Sequence, residues 1–187
     1  RYATGLLVAM VEAEKTGAPA RKGGAFAEMV RDLLTAKKID PDFVAQIILL
    51  PSEQTLAQII GHEVDVEAIH AARERLRASI ATQTKDALLA AYDRMEVTGP
   101  YRPDADHAGR RALRNVCLGY LSAAPGEEGI ALAAEQFRMA DNMTDSIAAL
   151  PVLSNHDYPE PPAASPALHG PPHGVPLPVA TCLPTPA

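Results

Sequence analysis

From Leu6 to Leu150 the apolar residues recur three and four positions apart almost without a break, and no stretch alternates apolar with polar residues. A period near 3.6 puts such residues on one stripe of an α-helix, whereas a half-buried strand needs a period of two. A chain patterned this way folds into amphipathic helices that bury their stripes against one another. The core must be aliphatic, because hydrophobic residues make up 47% of the sequence but aromatic ones only 4%, with no Trp. Ala, Leu, Ile, Val and Met fill it, a composition that favours helix. At 187 residues the chain is long enough for one ordinary domain that buries about 68–75% of its unfolded surface.

The helices can be placed from their stripes and punctuation. A first carries Leu6, Leu7, Met10 and Val11 and stops near Gly17; a second carries Phe26, Met29, Val30, Leu33 and Leu34 and ends around Lys37 and Lys38. Asp40-Pro41 is a start signal: Asp accepts a backbone N–H as N-cap, and Pro at the first helical position lacks only a donor that had no partner. A short buried helix follows through Phe43, Val44, Ile47 and Ile48, and another runs from Ser52 through Leu56, Ile59 and Ile60 to Gly61. Asp65 caps the longest element, whose face holds Ile69, Leu76, Ile80, Leu88, Ala91 and Met95 and which Gly99-Pro100 ends. After Asp104 or Asp106 comes the cleanest stripe, Leu113, Val116, Cys117, Tyr120 and Leu121; Ile130, Ala133, Ala134 and Phe137 mark its partner beyond Pro125-Gly126. Asn142 caps a last helix with Met143, Ile147 and Leu150. Short connections make consecutive helices antiparallel neighbours, as in a bundle or a superhelical stack, and no fixed repeat period is legible.

From Tyr158 onward the chain holds most of its prolines, no Lys or Arg and no helical period, and is expected to be disordered. The domain reading is therefore 1–157 helical and 158–187 an unstructured Pro-rich tail. The chain begins at Arg1, without Met, in what reads as a helix lead-in, and is expected to start partway through a larger protein. A net charge of −6 and a pI near 5.5 argue against a nucleic-acid or anionic-membrane surface. No apolar run of ~18 residues could span a bilayer. Cys117 and Cys182 lie far apart in dissimilar settings, so a reducing compartment is expected, and with it a cytoplasmic location.

Candidate chemistry is sparse. A helical zinc hydrolase uses H-E-x-x-H, two imidazoles one turn apart with a Glu to activate the bound water. His62-Glu63 begins that pattern, but Val66 stands where the second His belongs, so His62 reads as a solvated turn residue and His70 as a surface or boundary one. His169 and His173 lie in the tail, where a shared metal ion would be weakly held. Cys117, on an apolar stripe, reads as a small buried hydrophobe. Arg110, Arg111 and Arg114 cluster within little more than a turn. They could bind a carboxylate, but the simpler role is to pair with Asp141 or Asp145. Asp141, Asn142 and Asp145 read as helix-start chemistry, with Asn142 the cap and Asp145 in the first turn.

The segments RRALRNVCLGYL, EQF and ADNMTDSIAAL, preceded by KKIDPDFVAQIILLPSE and DALLAAYD in the same order, resemble the C-terminal helical domain of bacterial alanyl aminopeptidase N, in the M1 zinc metallopeptidase family. The resemblance covers about Tyr2 to Asp157 and stops after about Glu160, where Pro-rich sequence replaces further helices. It implies an all-α fold, an irregular superhelix like an ARM or HEAT array, that covers the active site and admits only short, unfolded peptides. In the family, the zinc ion and its H-E-x-x-H ligands, and the G-A-M-E-N-like segment that grips the peptide amine, belong to an earlier part of the chain. The resemblance therefore assigns no catalytic residue, metal ligand or cofactor to any position here. The implied partners are the catalytic domain of the same polypeptide and its peptide substrates. The tail is expected to be a shifted reading frame in a GC-rich gene, and in that case the last helix should expose an apolar face. The alternatives are a free-standing helical module that binds peptides in a concave groove, and a remnant with no function of its own.

Overall fold

A computed structural model describes residues 2–17, 23–99 and 101–155; the Pro-rich tail, with His169, His173 and Cys182, lies outside the described residues. The described residues form eight α-helices and no strand: α1 (Tyr2–Thr16), α2 (Gly24–Thr35), α3 (Pro41–Ile48), α4 (Glu53–Ile60), α5 (Val66–Arg94), α6 (Ala105–Leu121), α7 (Glu128–Met139) and α8 (Met143–Ser154). Their starts follow local chemistry. Asp40, Ser52, Asp65, Asp104 and Asn142 each cap a helix by accepting a backbone N–H from its first turn. Gly61 closes α4 at φ 74°, a left-handed conformation open to a residue without Cβ.

The fold is organised on α5. It packs against α1, α2, α4 and α6, while α6 carries α3, α7 and α8 on its other sides. Its buried positions Ile69, Leu76, Ile80, Leu88 and Ala91 lie deep in a continuous aliphatic core with Leu7, Val11, Val30, Ile48 and Leu118. Thr84 interrupts α5 with non-helical φ/ψ of −122° and 17°, and its hydroxyl donates to the Ile80 carbonyl. Bonding back to the preceding turn is a known way for Thr to bend a helix. The α6–α7 connection is close, since a Cβ on Gly129 would sit 2.3 Å from the Leu121 carbonyl oxygen.

Three expectations are corrected. α5 ends at Arg94, before Gly99-Pro100, because Met95 takes the C-cap and the side chain of Arg110 reaches the carbonyls of Arg94 and Glu96. α2 stops at Thr35, two residues before Lys37, and the Arg94 guanidinium supplies a donor to the Leu34 carbonyl near its end. On α8 the apolar residues Met143, Ile147 and Leu150 do not face the core: they are 63%, 57% and 43% exposed. The buried side carries Asp145, Ser146, Ala149, Val152 and Leu153 instead. Hydrogen bonds from Asn115 and Gln136 to Asp145 hold α8 this way.

Candidate functional site

The C-terminal half of α5 meets α6, α7 and α8 around a polar network. Gln136, on α7 and 4% exposed, is its centre. Its carbonyl accepts from the Tyr92 hydroxyl at 3.0 Å, and its amide donates to Asn115 Oδ1 at 2.8 Å and to the Asp145 backbone carbonyl at 3.1 Å. The Asp145 carboxylate accepts from Asn115 on one oxygen at 3.0 Å and from Asn142 on the other at 2.8 Å. Asn142 in turn accepts the Asp145 N–H, so one residue both caps α8 and holds its first carboxylate. Burial pushes the Tyr92 hydroxyl up to about 12, against the pull of the Arg114 guanidinium, so it stays protonated and donates. Four helices are thereby pinned through a fully connected set of side chains, the condition under which buried polar groups specify an arrangement.

The arginine cluster is not assembled into one binding site. Arg110 donates to the carbonyls of Arg94 and Glu96, and Arg111, 5% exposed, donates to the Arg102 carbonyl while lying 4.8 Å from the Tyr101 ring centroid. Arg114 lies 4.2 Å from the centroid of the Tyr92 ring, and its buried Nε has no hydrogen-bond partner. The simple pairing of these arginines with Asp141 or Asp145 is not what holds them, because the Asp145 oxygens are taken by asparagines and Asp141 accepts from Asn142. Beside the network is a cleft of 530 Å³ whose wall carries Asp93, Glu96, Glu135, Asp141 and Asp145 against the single cation Arg114. Its field favours cations over anions. A second, more apolar cleft of 290 Å³ lies between Leu49, Leu50, Val116 and Tyr120, edged by Arg73 and Arg77.

The remaining candidates read as structure. His62 and Glu63 form an exposed turn, with Glu63 at φ 47°. His70 Nδ1 lies 2.8 Å from Glu53 Oε1, and that hydrogen bond raises the imidazole above its usual range. Cys117 is fully buried, and burial pushes its thiol up to about 12. Among the described residues no three His, Cys, Asp or Glu side chains converge as a metal's ligands would. The network residues Tyr92, Asn115 and Gln136 were not singled out by sequence reasoning. Gln136 carried one weak signal: it stands between Ala133 and Phe137, on the buried side of α7, where a polar residue needs partners.

Comparison with known proteins places this arrangement. A family described as a domain of unknown function (DUF3458_C), ARM repeats, matches residues 1–173, beyond the point near Glu160 where the sequence reading ends the resemblance. The chain is 40% identical over 135 residues to an aminopeptidase N of Caulobacter vibrioides and 37% identical over 124 residues to that of Escherichia coli. These alignments cover 72% and 66% of this chain but 16% and 14% of those relatives, so the chain spans a small part of their length. The fold is similar to that of a Legionella pneumophila aminopeptidase A solved in complex with aspartic acid, with a TM-score of 0.69 at 24% identity over 81% of this chain and 19% of that one. The chain belongs to this ARM-repeat family and is homologous to the C-terminal domain of bacterial aminopeptidase N.

Proposed function

We propose that the chain is a noncatalytic part of a zinc aminopeptidase of the M1 family: the helical segment that lies over the catalytic domain and restricts the active site to short peptides. The observation that carries this reading is the identity of 40% and 37%, over 72% and 66% of this chain, to two proteins named aminopeptidase N. The residues present do not fit a zinc ion, since the histidines and acids described do not converge. In this reading the metal belongs elsewhere in the longer polypeptide, and no step of hydrolysis runs through this chain. What its own residues contribute is rigidity. The network around Gln136 and the aliphatic core on α5 hold the helices as one body, as a cover over an active site must be held. The partners are the catalytic domain and, through it, peptides. The acidic balance of −6 suits neither nucleic acid nor an anionic membrane, and the reading places the enzyme in the cytoplasm.

The test is hydrolysis of an alanyl chromogenic substrate by the full-length gene product and by this chain alone, each supplied with zinc. Turnover by the full-length product that a chelator abolishes, with none by the chain, is the expected outcome. Turnover by the purified chain would overturn the noncatalytic reading. The cover itself is read from a full-length variant lacking residues 1–157, which is expected to accept longer peptides if it remains folded. Unchanged length selectivity in such a variant would remove the role assigned to the helices.

A further inference from the structure

The 530 Å³ cleft beside the Gln136 network holds charges of both signs that do not meet. Arg114 lines it, and among the described residues its guanidinium makes no hydrogen bond or ion pair, although its Nε is buried. The carboxylates of Asp93, Glu96 and Glu135 line the same cleft and are likewise unpaired among the described residues. Arginine and carboxylate that share a cleft ordinarily close into a charge-assisted pair. Here the arginine is held back: it lies 4.2 Å from the centroid of the Tyr92 ring, and the Tyr92 hydroxyl is fixed on Gln136 at 3.0 Å. The groups nonetheless face one spot, because the Tyr92 hydroxyl, raised chiefly by burial, also feels the charges of Arg114, Glu135 and Glu96. A buried polar atom without a partner calls for an explanation, and the volume falls within the roughly 300–1,000 Å³ of small-molecule sites.

A ligand of one sign does not fit this arrangement. An anion seated on Arg114 would stand in the field of the surrounding carboxylates, and a simple cation would leave the guanidinium unpaired and be repelled by it. A molecule that carries both charges satisfies both walls. We propose that the cleft binds a small zwitterion, a free α-amino acid with an aliphatic side chain: its carboxylate on Arg114, its ammonium on Glu96 and Glu135, and its side chain against Val97, Leu132 and Met139. A planar guanidinium holds a carboxylate with two parallel N–H donors. Its stacking on Tyr92 orders it before the ligand arrives, which lowers the cost of binding. Asp141 and Asp145 are not called on, since their carboxylates already accept from asparagines. None of this depends on the aminopeptidase reading, because every group named belongs to one cleft of this chain.

The test is a titration of the isotopically labelled chain with L-leucine at low ionic strength, followed by NMR. Saturable shifts at the Gln136 side-chain amide and at Val97 and Met139 are expected. Isopentylamine, which is leucine without its carboxylate, and 4-methylpentanoate, which lacks the ammonium, should each bind at least about tenfold more weakly. Arg114→Gln and Glu135→Gln should each weaken leucine to a similar degree with the far-UV circular dichroism unchanged, and Arg114→Lys, which keeps the charge and loses the fork, should not restore it. The analogue series needs no variant, so it decides the matter even if Arg114→Gln fails to fold. In the full-length gene product, Arg114→Gln should remove one saturable leucine site in equilibrium dialysis, and removal of none overturns the proposal. So does a spectrum that leucine leaves unchanged at every concentration it reaches in water, or isopentylamine binding as tightly as leucine, which would make the cleft a plain cation site. Glycyl-leucine binding more tightly than leucine would overturn the free amino acid and assign the two charges to the ends of a peptide.

Discussion

Gln136 shows how much one side chain can decide. Its amide is 4% exposed and has three partners, each on a different helix, so removing it strands the Tyr92 hydroxyl, Asn115 and the Asp145 carbonyl together. Leaving buried groups unsatisfied costs more than a hydrogen bond contributes, so Gln136→Leu, of similar size, should destabilise the chain by about 2–4 kcal/mol in urea unfolding. A double change that also replaces Tyr92 by Phe should cost less than the two single changes added, because each already breaks the shared bond. Additive losses would mean that the two residues are not coupled. The same logic explains the two buried cysteine and tyrosine groups pushed up to about 12: with no charge stabilised, they serve packing and hydrogen bonding at neutral pH.

Between helices, approach distance and surface charge act separately. At Gly129 a Cβ would lie 2.3 Å from the Leu121 carbonyl oxygen and 2.6 Å from the Ser122 nitrogen, both backbone atoms that cannot turn aside. At Gly119, inside α6, a Cβ would meet nothing within 4 Å. Gly129→Ala should therefore destabilise by at least about 1–3 kcal/mol, whereas Gly119→Ala should stabilise by about 0.4–1 kcal/mol. Thermal melts of the two variants should shift in opposite directions. The His70–Glu53 contact joins α5 to α4 and gives a pH dependence of defined sign. Its imidazole is raised above 6.5 by the bond to Glu53, so its contribution is whole below 6.5 and is lost as pH rises through the folded value. Both side chains are well exposed, which limits the effect to under about 1 kcal/mol. Urea midpoints between pH 6 and 8.5 should fall more steeply for the parent chain than for His70→Gln.

At the scale of the whole molecule, stability is concentrated on α5 and α6, which between them touch every other helix. Their buried amides should exchange with solvent most slowly, and α4, with only Leu56 buried, among the fastest in hydrogen-exchange experiments. Equal protection across all helices would show instead that the chain unfolds as one unit. Much of this organisation was present in the sequence. Period and composition determined that the described residues are all-helical, and Asp40, Ser52, Asp65 and Asn142 located four helix starts and left a fifth between Asp104 and Asp106, because capping is chemistry between residues two or three apart. The orientation of α8 was decided by tertiary structure alone. Met143, Ile147 and Leu150 make the more apolar stripe, yet Asp145 is drawn inward by Asn115 and Gln136, residues 30 and 9 positions away. The arginines likewise found backbone carbonyls instead of the acids nearest in character. Local signals determine which residues form a helix, but the face it buries follows from partners that only folding brings within reach.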